Sequence, residues 1–110
     1  MEINLNVINQ VTVITIAGNL DSSTAPKAEE KILPLARPGC KIALEMSHVP
    51  YMSSAGLRML LLIYRQISGS DGQVVLVGLS EELKDTMAVT GFLDFFQIYP
   101  NLESGLATII

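Results

Sequence analysis

The sequence predicts one α/β domain over residues 1–110, a mixed sheet of four to five strands in the order β-β-α-β-α-β-α-(β)-α. Three observations predict it. Two β-rich runs stand either side of Asn9-Gln10, which reads as a hairpin and so as an antiparallel pair. Beyond Gly18, short apolar strands alternate with amphipathic helices, and strands separated by crossovers of that length pair in parallel. The 49% apolar and 16% charged composition is enough for a core and too uncharged for a disordered chain.

Each element has a local reason. In EINLNVI, Ile3, Leu5 and Val7 share one side, and in VTVITIAG, Val11, Val13 and Thr15 oppose Thr12, Ile14 and Ile16. A helix starts within NLDSSTAPKAEEKILPLA: Ser22, Ser23 and Thr24 offer N-cap oxygens and Pro26 suits a first turn. Ala25, Ala28, Ile32 and Leu35 approximate one face, and Pro34 kinks or ends the helix. Arg37-Pro38-Gly39 is a turn, CKIALEM a buried strand and SHVPYM a loop. A second helix follows from Ser54 and ends at Gly69-Ser70-Asp71-Gly72, before the buried strand QVVLVG. Ser80 caps a third helix with Glu81 and Glu82 in its first turn, Leu83, Met87 and Thr90 facing inward, and Gly91 closing it. FQIYP supplies a short last strand, and Asn101 begins a final helix through Leu102, Leu106 and Ala107.

Composition excludes several functions. A net charge of −4 argues against a nucleic-acid partner, which needs clustered Lys and Arg, and against an anionic membrane surface. Cys40, the only cysteine, allows no internal disulfide and reads as a small core residue. The longest apolar run, Met59 to Tyr64, is far short of the roughly 20 residues of a membrane span, and Glu2 opens no secretory leader. The expectation is a cytoplasmic protein with no membrane insertion. Metal-ligand spacings and phosphate-binding glycine loops are missing, so no cofactor and no metal are expected. His48, the only histidine, precedes Ser54 by a few residues, but SSAG is no nucleophile elbow, and a hydrolase built on the pair is the most distant reading.

The chemistry concentrates in VPYMSSAGLRMLLLIYRQ. On a wheel begun at Ser54, Gly56, Met59, Leu60, Ile63 and Ile67 form a core face, bordered by Leu57 and Tyr64. Ser54, Arg58 and Arg65 fall within ~40° of one another on the far side, flanked by Leu61 and Leu62. Leucines edged by arginine have the composition of a docking surface, unless other parts of the domain cover them. Ser53 and Ser54 read as N-caps, and a hydroxyl at that place can also accept a phosphate. The free N–H groups and the macrodipole of a helix start tolerate a phosphate dianion, whereas burying it against a partner is costly. Gly56 costs ~1 kcal/mol against Ala in a helix, and the wheel points it inward, so close packing on the sheet is the expected reason for it.

SHVPYMSSAGLRMLL resembles the signature of the STAS domain, specifically the small bacterial anti-sigma factor antagonists. Gly18-Asn19-Leu20-Asp21 with Thr24-Ala25, then VVLVGLSEELKDTMAVTGF and FFQIYPNLESGLATI, extend the similarity over nearly the whole chain. The resemblance implies helices packed mainly on one side of a mixed sheet. It implies a non-enzymatic protein whose unphosphorylated form binds an anti-sigma factor, often a serine kinase of the GHKL ATPase type, and so frees a sigma factor. The kinase would phosphorylate Ser54, with Ser53 the second candidate, and a serine phosphatase would reverse it. Ser53 stands where well-studied members often have Asp. Asp21 matches a family position near the same surface, and reads equally as a loop aspartate assisting the first helix. The docking surface so defined comprises Asp21, Tyr51, Met52, Ser53, Arg58, Leu61, Leu62 and Arg65. The alternative is a non-switching STAS scaffold subunit of a signalling or lipid-transport complex.

Overall fold

A computed structural model describes residues 1–109. Asn9 and Gln10, both with positive φ (50° and 70°), make the tight turn of a two-residue hairpin between β1 (Glu2–Ile8) and β2 (Val11–Ala17). Mirror-type turns of this kind match the twist of the flanking strands, which is why the pair registers without interruption from Ile8↔Val11 to Glu2↔Ala17.

From β2 the chain crosses over through α1 (Ala25–Ile32) to β3 (Lys41–His48), through α2 (Ser54–Gly69) to β4 (Gln73–Val77), and through α3 (Glu81–Val89) to the short β5 (Gln97–Tyr99). The sheet order is β1-β2-β3-β4-β5, with β1 antiparallel to β2 and all later pairs parallel. β3 and β4 lie inside the sheet under cover on both faces, so Ile42, Ala43 and Leu44, and likewise Val74 to Val77, are buried in unbroken runs. α1, α2 and α3 bury Ala28, Ile32, Leu60, Ile63, Leu83 and Met87 against Ile14, Ile42, Leu44 and Leu76 on one face. The second face is narrower. There α4 (Leu102–Ile109) sets Ile109, Leu106 and Leu102 on Val11, Val13, Ala43, Val75 and Val77. Gly105 makes that approach possible, since a Cβ there would stand 2.5 Å from Val77 Cγ1.

The structure corrects several local expectations. Ser47 and His48 extend β3 instead of opening the loop. The register between β2 and β3 jumps from Thr15↔Glu45 to Ala17↔His48, and Glu45 Oε1 takes the Ser47 N–H in that irregularity. The expected end of the first helix at Pro34 is met: α1 stops at Ile32, and Pro34 sits in a 3₁₀ turn (Leu33–Leu35), where its missing N–H breaks no α-helical bond. Thr90 is exposed, its hydroxyl returned to the Thr86 and Met87 carbonyls of its own helix. On α4, Ala107 is exposed while Gly105 and Ile109 are buried. Two expected terminal devices are in place: Ser80 Oγ accepts the Leu83 N–H at 3.1 Å, and Asn101 Oδ1 accepts that of Ser104 at 2.9 Å. α2 ends in a Schellman motif with Asp71 at φ 57°, Asp71 N–H bonding to Ser68 O and Gly72 N–H to Ile67 O.

Candidate functional site

Two loops meet at the C-terminal end of β2 and β3, and the backbone itself joins them. Gly18 N–H donates to His48 O, Leu20 N–H to Tyr51 O and Ser53 N–H to Leu20 O, each at 2.9 Å. The last two make an isolated parallel bridge between Leu20 and Met52. This clamp fixes the start of α2 beside the start of α1, and with it the relation of Ser54 to Asp21.

The first turn of α2 divides the two serines. Ser53 is the N-cap, extended at ψ 177°, with its Oγ accepting the Gly56 N–H at a long 3.4 Å and its carbonyl taking the Leu57 N–H at 2.9 Å. Ser54 is the first helical residue, exposed, and its hydroxyl has no hydrogen-bond partner among the described residues. The Ser54 and Ala55 N–H groups are orphaned by their place in the helix, and no acid lies in that turn. The site therefore presents an unengaged hydroxyl, unopposed donors and the positive end of a 16-residue helix.

Gly56 is buried because the clamp presses on it. A Cβ there would lie 2.5 Å from Leu20 O and 2.8 Å from Met52 Cγ. Close packing was the expectation; its object is the Leu20 loop rather than the sheet.

Asp21 works locally. Its Oδ1 accepts from Ser23 Oγ (2.6 Å), Ser23 N–H (2.9 Å) and Thr24 N–H (3.2 Å). The Asp21 carbonyl takes the Ala25 N–H at 2.8 Å, and Pro26 has none to satisfy. Thr24, although at the N-cap position, makes no capping bond; its hydroxyl donates to Asn19 O at 2.8 Å and accepts the Asp21 N–H. The expected hydroxyl cap is thus replaced by a carboxylate turn. The bond from the Ser23 hydroxyl, with the backbone donors, holds the Asp21 carboxyl below the ordinary aspartate range against a weaker desolvation. A depressed acid stabilises the fold above its unfolded value, about 3.9, and that contribution disappears as pH falls through the folded one. Asp21→Ala is therefore expected to lower the melting temperature at neutral pH, with the gap from wild type closing below pH ~4. A gap independent of pH would show that the charge contributes nothing.

Between α1 and α2 runs an open groove lined by Ser22, Pro26 and Glu29 on one wall and Ala55, Arg58 and Leu62 on the other, over Ala25 and Met59. Arg58 and Arg65 are exposed, and Leu61 and Leu62 are half-buried. Tyr51 is exposed at the mouth of the clamp. The buried face of α2 is the expected one, with Leu57 added to it, and Tyr64 lies edge-on to Phe96 with ring centroids 5.2 Å apart.

Met52 requires a correction. It is 3% exposed, held in the core by its bridge to Leu20, so its side chain is withdrawn from any docking surface. Ser22, Pro26, Glu29 and Ala55 were missed. Glu29 looks in sequence like part of a solvated helix face, and only the packing of α1 on α2 makes it a wall of the groove that Arg58 also lines. His48 is exposed, and no hydrogen bond links it to Ser54. No helix among the described residues is long and apolar enough to cross a membrane.

The α/β domain thus carries an unengaged serine at the tip of a helix, beside a groove, and known proteins share both its sequence and its shape. The sequence model of the STAS domain matches residues 2–105, and the chain belongs to that family, among its bacterial anti-sigma factor antagonists. The anti-sigma-B factor antagonist of Bacillus subtilis is 33% identical over 109 residues, covering 96% of this chain and 99% of that protein. An anti-sigma factor antagonist from Mycobacterium paratuberculosis superposes with a TM-score of 0.85 at 23% identity, covering 98% of this chain and 92% of the other. The Bacillus cell-fate determinant SpoIIAA, solved in its phosphorylated form, superposes at 0.74 with 19% identity, covering 99% and 100%.

Proposed function

We propose that this chain is a phosphorylation-gated anti-sigma factor antagonist that acts in the cytoplasm by binding, not catalysis. In its unphosphorylated form it occupies an anti-sigma factor that is also a serine kinase of the GHKL ATPase type, and so releases a sigma factor. Phosphate on Ser54 blocks that binding, and a serine phosphatase removes it. The observation that carries this reading is the exposed, unbonded Ser54 hydroxyl at the start of α2, next to the groove edged by Arg58 and Leu62. The partner would lie across α2 and the Asp21 loop, with Arg58, Arg65, Leu61, Leu62 and Tyr51 in contact and Ser53 serving the helix. The free protein tolerates the phosphate because orphan N–H groups face it. The complex does not, because there the dianion would be covered.

The direct test is incubation with ATP and each GHKL-type kinase of the source genome, followed by peptide mass spectrometry. One phosphate on the peptide containing Ser53 and Ser54, absent from Ser54→Ala and retained in Ser53→Ala, is expected. A chain that none of these kinases modifies would instead be a non-switching STAS scaffold.

A further inference from the structure

The sheet has two edges, and they are protected unequally. β5 is only three residues long, a common way of blunting an edge. β1 has seven residues, an uninterrupted register and no proline, bulge or lysine. After Glu2 the sequence holds no charged residue until Asp21. Leu5 and Val7 are 53% and 68% exposed on the same side as Ile3.

The hairpin settles where the β1 backbone points. In a two-residue hairpin the residues flanking the turn, Ile8 and Val11, exchange both backbone bonds, and every second pair does the same. Asn4, Asn6 and Ile8 therefore spend their N–H and C=O groups on β2, and those of Ile3, Leu5 and Val7 point out of the sheet. Two of the three residues with free backbone groups, Leu5 and Val7, also carry exposed apolar side chains.

We propose that the β1 edge pairs antiparallel with β1 of a second copy, about a two-fold axis at Leu5, joining two sheets into one. The strand is self-complementary in that register. Leu5 meets Leu5 of the second copy and Ile3 meets Val7, with about six backbone bonds formed. The apolar side chains cluster on the face that carries α1, α2 and α3, and Asn4 meets Asn6 on the face that carries α4. Glu2 falls opposite Ile8, so the two like charges sit at opposite ends of the ladder. None of the residues lining the α1–α2 groove belongs to β1. A single strand pairing covers less than the ~1,200 Å² of a stable interface, so the dimer is weak, with a dissociation constant of roughly 10 µM to 1 mM.

Sedimentation equilibrium from 10 µM to 1 mM and residue-resolved amide exchange on the full chain test this. Expected is a concentration-dependent dimer in which Ile3, Leu5 and Val7 exchange roughly two- to sevenfold more slowly at the high end. Asn4, Asn6 and Ile8, already bonded, stay unchanged. Leu5→Lys, which places two ammonium groups at the axis, is expected to raise the dissociation constant at least ~10-fold without lowering the melting temperature by more than a few degrees. Leu5→Pro, which deletes only an outward N–H, is expected to do the same; if it unfolds, Leu5→Lys decides. A chain that stays monomeric at 1 mM overturns the proposal. So does a dimer indifferent to Leu5→Lys, which would place the contact elsewhere.

Discussion

Phosphorylated at Ser54, the protein is expected to bind its anti-sigma partner two to three decades more weakly while melting no lower than the unmodified form. Both halves of that result come from one place in the fold. In the free protein Ser54 is the first residue of α2, exposed, with no acid in the first turn. An anion there gains about 0.3–1 kcal/mol from the helix dipole and orphan donors. In the proposed complex the same group would lose its water. A penalty of ~3–4 kcal/mol, modest for a covered and uncompensated dianion, corresponds to the stated loss of affinity. Ser54→Asp carries less charge and is expected to weaken binding by at least about tenfold with the melting temperature unchanged or raised. Ser54→Ala is expected to bind within a few-fold of wild type. Titration calorimetry against the captured partner, beside thermal denaturation of the free variants, separates the outcomes. If Ser54→Asp loses binding and stability together, the serine is structural; if it loses neither, Ser54 lies outside the interface.

What the sequence made legible follows from what periodicity can encode. The α2 wheel identified the buried face because one side of that helix meets the whole core, and Gly56, Met59, Leu60, Ile63 and Ile67 are buried as expected. The hairpin was legible from alternation and two polar residues, although neither turn residue is glycine. Thr24 and Met52 show the limit. A threonine before a proline-started helix looks like a cap, but Asp21 supplies a carboxylate and a carbonyl that take the Thr24 and Ala25 N–H groups, and the Thr24 hydroxyl turns to Asn19 O instead. Met52 lies in an aperiodic loop between Pro50 and Ser53, and its burial is created by Leu20, a residue distant in sequence that no local pattern can pair with it. The groove was hidden for a similar reason. A helix wheel says which face of α1 is apolar, not which neighbour its polar shoulder will meet. Leu5 and Val7 make the converse point: alternation places them on one side with Ile3, but says nothing of how far the helices extend over that side.

The clamp that positions Ser54 makes a second strong prediction, at the buried Gly56. Gly56→Ala is expected to destabilise the protein by about 1–3 kcal/mol, although alanine is the better helix former by ~1 kcal/mol. The added methyl would sit 2.5 Å from Leu20 O and 2.8 Å from Met52 Cγ. Met52 is packed in the core, and the Leu20 carbonyl is bonded to Ser53 N–H, so neither can move freely. Relief requires α2 to lift from the Leu20 loop, stretching the Ser53–Leu20 bond and, with it, the spacing between Ser54 and the Asp21 turn. At roughly 4–8 °C per kcal/mol, the melting temperature should fall by roughly 5–20 °C. Partner affinity should fall too, since the two halves of the proposed surface no longer keep their separation. Gly69→Ala, in the last turn of the same helix with open space around the new carbon, is the control with the opposite expectation: stability unchanged or slightly raised. Equal melting temperatures for Gly56→Ala and wild type would mean that α2 and the Leu20 loop yield easily, and that the site is not held in register by this contact.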